Sequence, residues 1–152
     1  MNEELILHHA ETLKHINEVR SNMWKLIHNL DERAQVHDAS KFEEPERSVF
    51  AQNTPKLAKT EYGTDEYSKL LLEVKPAIDH HYAKNTHHPE HWPNGIEDMD
   101  LLDLVEMLSD WAAATKRNKN GNIHKSIEHN EGRFGISPQL SKIFTNTVNR
   151  YF

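Results

Sequence analysis

Between Leu13 and Leu30 the apolar residues Leu13, Ile16, Val19, Met23, Ile27 and Leu30 step by three or four, and no β-branched alternating run appears anywhere in the chain. Such a step gathers side chains on one side of an α-helix, whereas a half-buried strand needs a period of two. The pattern predicts an all-α fold that begins with a long helix from Asn2 to about Leu30. A short second helix is expected over Asp31–Ala39. From Lys41 to Glu66, with Pro45, Pro55 and Gly63, no periodicity is visible, so the segment reads as a long connection. A third helix fits Asp65 to about Asn85, with Leu70, Val74, Ala77, Ile78 and Tyr82 on one side. After Pro89, Pro93 and Gly95 the chain restarts near Ile96, and LLDLVEMLSDWAAATKR reads as a strong helix ending before Gly121. Lys125–Asn130 adds a turn or two, and Ser137-Pro138 caps a last helix through Leu140, Ile143 and Val148. The expectation is one compact domain over residues 1–152, a bundle of five to six helices, with 119–152 as a C-terminal loop-plus-helix extension.

Composition narrows the chemistry. The 152 residues include no Cys, which removes disulfides, zinc–thiolate sites and a cysteine nucleophile together. With 24 acidic against 18 basic residues and a formal charge of −6, the chain carries no large basic footprint, and an extended nucleic-acid partner is not expected. No apolar run approaches the length of a membrane span, and the polar start MNEELILHHAE has no signal-peptide pattern. A cytoplasmic protein without a membrane partner is the expectation.

Twelve residues are His, and the stretch NTHHPEHWPNG crowds His87, His88 and His91 into one turn, seven residues after His80-His81. The helical wheel separates these side chains. His81 falls among Val74, Ala77 and Ile78, and Asn85 shares its face, while His80 is rotated about a hundred degrees toward the polar side. His15 lies on the flank of the first stripe and His28 points nearly opposite. His15 therefore reads as an inward ligand, as a hydrogen-bonded flank residue or as an exposed side chain. On the fourth apolar run Asp110 sits at the edge formed by Met107 and Ala114, and Asp103 competes for the same edge. His37-Asp38, in VHDASKF, offers one nitrogen and one oxygen donor. That mixed set suits Mn, Fe, Co, Zn or Mg rather than a thiolate-selecting metal. An imidazole facing a core needs a partner, and a metal, a carbonyl or a carboxylate would each supply it.

Taken in order, His15 just before Val19, then His37-Asp38 with Lys41 three residues on, then the middle histidines, then Asp110, this chain resembles the HD-domain superfamily of metal-dependent phosphohydrolases. The resemblance covers roughly residues 10 to 115. It implies an HD-like helical bundle with a first metal held by His15, His37, Asp38 and Asp110. Two-metal members add histidines, and His87-His88 with Glu90 and Gly95 is similar to their His-His-Glu run, although Pro89 interrupts it. The chain is also similar to a small family of bacterial and bacteriophage proteins carrying HDxSKF, NxHHPEHW and a DLxEMxxDW-like segment.

The function these features imply is hydrolysis of a nucleotide or related small phosphoester by a metal-activated water. Asp38 is able to bridge two ions, and a second ion would take His81 and one of His87 or His88. Glu90 or His91 would orient water or protonate a leaving group. Lys41, Arg33 and Arg133 are candidates for the phosphate, Asn85 for a hydrogen bond behind a ligand imidazole, and Trp92 for a pocket wall or base stacking. Two other accounts use the same residues: a di-iron oxygenase on this scaffold, and a non-enzymatic helical binding protein with a structural metal. Exposed apolar surface would allow a homodimer.

Overall fold

A computed structural model describes residues 2–57, 59–60, 64–117 and 120–152; Gly63, and the residue 119 at which the C-terminal extension was expected to begin, lie outside them. Among the described residues there are six α-helices, three short 3-10 turns and no strand. Contacts divide the chain into two units, Met1–Val36 and His37–Phe152.

The first unit is a single helix, α1 (Glu3–Val36), of 34 residues, or about 51 Å at 1.5 Å per residue. Glu3 and Glu4 lie in its first turn and Arg33 in its last, each sign matching the helix dipole. The break expected at Asp31 does not occur. Residues 31–35 contain no Pro or Gly, and Gln35 Nε2 donates to Asp31 Oδ2 one turn away at 2.9 Å, so the helix runs on until Val36. None of its residues is buried. The stripe that periodicity turned toward a core is exposed instead, Leu13 at 60% and Met23 at 56%.

In the second unit the connection from Lys41 to Glu66 contains a complete helix, α2 (Glu46–Leu57), which packs along α3 (Asp65–Lys84). Its buried residues are Glu46 and Asn53. A helix whose inward positions are polar leaves no apolar period to read, and Pro55 near its end adds a false stop signal. Thr64 Oγ1 caps α3 by accepting from Tyr67 N at 3.2 Å. The inward face of α3 is Leu70, Val74, Ala77 and His81.

The hydrophobic core lies among α4 (Leu101–Thr115), α5 (Ile123–Phe134) and α6 (Pro138–Tyr151). Met107, Leu108, Ile127, Ile136, Phe144 and Val148 are its buried members. Trp111 stacks on Phe134 at 6.3 Å and meets Phe144 edge-on at 6.1 Å. Asp100 and Asp103 form a reciprocal cap: Asp100 Oδ1 accepts from Leu102 N and Asp103 N, and Asp103 Oδ2 accepts from Asp100 N. The helix expected over Lys125–Asn130 is longer, because Asn122 caps its start and Gly135, at φ +63°, ends it. Ser137 caps α6 with Pro138 in the first turn. No helix of the described residues is long and apolar enough to cross a membrane.

Candidate metal centre

Two short loops and two helices bring the ligand atoms together. The helical run ends just before His37-Asp38, where Asp38 adopts the left-handed conformation, φ 58° and ψ 16°. Asp tolerates that region better than most residues, and the turn continues into a 3-10 helix, Ala39–Phe42. The stretch NTHHPEHWPNG follows the end of α3. Asn85 N donates to His81 O, His88 N donates to Asn85 O, and the buried Pro89 starts a turn through His91. Thr86 Oγ1 donates to Asp103 Oδ1 at 2.7 Å, and Gly95 closes the stretch at φ +60°, where a side chain would be strained.

Two groups result, each with its ligand atoms within 4.8 Å of one another: Asp38, His81, His87 and His88, and His37, His87 and Asp110. His81 Nε2 lies 3.3 Å and His87 Nε2 3.8 Å from Asp38 Oδ1. His37 Nε2 lies 3.5 Å from Asp38 Oδ2 and 3.8 Å from Asp110 Oδ1. His87 belongs to both groups but has one Nε2 to give.

Carboxylates behind the rings decide which nitrogen faces inward. Glu106 Oε1 accepts from His37 Nδ1 at 2.8 Å and lies 3.0 Å from His87 Nδ1. Glu46, fully buried, accepts from His81 Nδ1 at 2.8 Å and from His80 Nδ1 at 2.7 Å. With Nδ1 turned to a carboxylate, Nε2 of His81 and His87 presents a lone pair, the arrangement that orients imidazole ligands in metal sites. Ser40 Oγ donates to Glu46 Oε2, and Asn85 Nδ2 donates to Ser40 Oγ at 2.8 Å and to His81 O at 2.7 Å.

The inward atoms crowd together, and a neutral pair of rings shares one proton across the closest contact. His81 Nε2 and His88 Nε2 are 2.9 Å apart. Asp38 Oδ1 and His87 Nε2 are buried without a hydrogen-bond partner among the described residues, a condition that costs roughly 1–3 kcal/mol per group unless something satisfies it. Burial, then the neighbouring His87 and His81, pushes the His88 ring down to about 3, and burial with the Lys41 charge lowers His81. These two rings are neutral donors at ordinary pH. Burial opposes ionisation of Asp38, but the Lys41 ammonium bonded to it, with His37 and His81, holds its carboxyl below the ordinary value. His37 keeps Asp110 low, and Asp110 with Glu106 raises His37 to about 10. A cluster of lone pairs on N and O atoms, two of them unsatisfied, fits a divalent transition ion. These clusters could hold such an ion.

A cavity of about 460 Å³ opens beside the first group. Asp38, His81 and His88 form its ligand side, Lys41 and Arg117 supply two cations, and Phe50, Ile78 and Tyr82 an apolar wall.

The structure thus brings His37, Asp38, His81, His87, His88 and Asp110 together and sets Lys41 at their edge. His15 is exposed on α1 in the first unit, and the two groups form from residues of the second unit. Arg33 also belongs to the first unit. Asp103, the competitor of Asp110, is occupied as a cap and by Thr86. Glu90 and Arg133 are bonded to each other, with the guanidinium 4.6 Å over the Phe134 ring, and neither lines the cavity. His91 Nδ1 donates to Tyr82 O and the Trp92 indole N–H donates to Thr86 O, so both brace the loop. Glu46, Glu106, Ser40 and Arg117 had not been singled out. Glu106 was within reach, lying one helical turn before Asp110 on the same face.

A family model described as a family of unknown function (DUF5662) matches residues 5–150. The chain belongs to that family. No curated protein and no solved structure matches it.

Proposed function

We propose that this family member is a metal-dependent phosphohydrolase acting on a nucleotide or related small phosphoester. Asp38, His81, His87 and His88 would hold one divalent ion, and His37 and Asp110, with Asp38 between the groups, a second. When bound, such ions supply Lewis-acid polarisation of a phosphoryl oxygen and a water acidic enough to attack near neutral pH. The chain's own residues do the rest. Glu46 and Glu106 keep the ligand rings in one tautomer, and Lys41 and Arg117 draw a phosphate into the cavity and balance charge developing on its oxygens. Phe50, Ile78 and Tyr82 exclude water from the organic part of the substrate.

The observation that carries this reading is the pair of unsatisfied buried atoms, Asp38 Oδ1 and His87 Nε2, aimed into a cluster that borders a cavity with two cations. The resemblance of His37-Asp38 and Asp110 to the HD-domain pattern agrees with it. The test is turnover of a panel of phosphoesters by protein stripped of metal and reloaded with Mn, Fe, Co, Zn or Mg, in air and without oxygen. Asp38→Ala and His88→Ala are expected to abolish phosphate release, and His28→Ala to leave it unchanged. Thermal destabilisation by chelators with no turnover in any form would favour a structural metal. Oxygen consumption by the iron form alone would favour an oxygenase.

A further inference from the structure

We propose that the two ligand groups are unequal: the first ion binds at Asp38 Oδ1, His81, His87 and His88, while Lys41 occupies the second position at Asp38 Oδ2 and must leave before an ion binds there. This rests on the metal-centre reading and adds an order of filling.

The inequality lies in how the two groups are satisfied by protein. In the first group two of the four ligand atoms lack a hydrogen-bond partner, and the other two share one proton. His81 Nε2 faces His88 Nε2 at 2.9 Å and Asp38 Oδ1 at 3.3 Å. The unpartnered atoms, Asp38 Oδ1 and His87 Nε2, both belong to this group, and His87 is only 2% exposed. Two buried acceptors without a partner are costly, and a cation satisfies both while displacing the single proton shared by His88 and His81. The second group shares the unpartnered His87 Nε2 but adds no unpartnered atom of its own. Asp38 Oδ2 accepts from the Lys41 ammonium, and His37 bonds Glu106 through Nδ1 while its Nε2 faces Asp38 Oδ2 and Asp110 Oδ1. If His87 spends its one Nε2 on the first ion, three donors remain for the second: His37, Asp110 and Asp38 Oδ2. Fewer donors and a resident cation both weaken that position.

Lys41 also lines the cavity beside the first group. Once displaced from Asp38 Oδ2, its ammonium is free to meet an anion in that cavity. Binding of the second ion and of a phosphate are therefore coupled through one side chain, each favouring the other.

The experiment is calorimetric titration of the chelator-stripped chain with Mn(II) and with Co(II), with bound metal counted by elemental analysis and the Co(II) absorption spectrum recorded at each step. Circular dichroism checks that each variant is folded. The wild-type chain is expected to show one tight and one weak step. Lys41→Met, a change at a side chain 40% exposed, should tighten the weak step by about tenfold or more, since it removes a positive charge a few ångströms from the incoming ion. It should tighten the tight step by much less, because no ammonium has to leave that position. Asp110→Ala should erase the weak step alone, and His88→Ala should weaken the tight one and change the Co(II) spectrum. Inorganic phosphate should strengthen the weak step in the wild-type chain and do so less in Lys41→Met. Loss of the tight step in Asp110→Ala, or no change of either step in Lys41→Met, overturns the proposed order while leaving a metal centre in place. Retention of no ion by any form removes the metal centre itself, and this inference with it.

Discussion

Glu106 offers one oxygen to two rings. Its Oε1 accepts from His37 Nδ1 and lies 3.0 Å from Nδ1 of His87, the ring that both ligand groups share. Glu106→Gln should keep the fold but lower metal affinity by about 10–100-fold, the usual range for losing a hydrogen-bond partner behind a ligand, measured against a competing chelator. His81 was distinguishable from His80 by helical facing alone, since only one of two adjacent residues can sit among Val74, Ala77 and Ile78. Glu46 was not, because its partners lie 34 and 35 residues away and no local pattern announces them.

The same residues set a pH dependence in metal-free protein. The His37 pKa is raised from 6.5 to about 10, so its contribution is complete below 6.5 and is lost as pH rises from there through 10. His88 is pushed from 6.5 down to about 3; below 6.5 the unfolded ring gains a proton that the folded ring refuses, and stability falls as pH drops. Asp38 and Asp110, both held low, add further loss as pH falls through the carboxylate range. Urea midpoints in excess chelator should therefore peak near pH 6.5. With metal bound, an ion replaces the His37 proton, and the alkaline limb should flatten.

Among the elements, the helices with apolar faces or capping residues were legible, and the one without them was not. The Asp65 start and the Ser137-Pro138 start lie where caps and period agree. α2 escaped because its buried positions are Glu46 and Asn53, and the separate helix expected after Leu30 merged into α1 because nothing there stops a helix. Stops depend on single residues. A Cβ added at Gly121 would lie 1.8 Å from the Thr115 carbonyl oxygen and 2.6 Å from its carbon. Because the obstacle is backbone, Gly121→Ala should destabilise the protein by about 1–3 kcal/mol, read from denaturant unfolding. Gly132→Ala, where nothing lies within 4 Å, should not destabilise it.

At the scale of the whole chain, all-helical character was evident from period and composition, whereas the division at Val36 was not. An amphipathic stripe reports that a face is apolar, not what covers it. Within the second unit one helix serves two purposes. α4 carries Glu106 and Asp110 toward the ligands, and Met107, Leu108 and Trp111 toward α5 and α6. Phe144, 3% exposed, belongs to that core and meets Trp111 edge-on, and Phe144→Ala should cost about 3–5 kcal/mol. A beam loaded at both ends transmits damage. If the clusters take up cobalt, hollowing the greasy side should release it at a lower temperature although no ligand has been touched, and that release, followed by dye, should trace the same melting curve as hydrogen exchange at the Met107 and Leu108 amides.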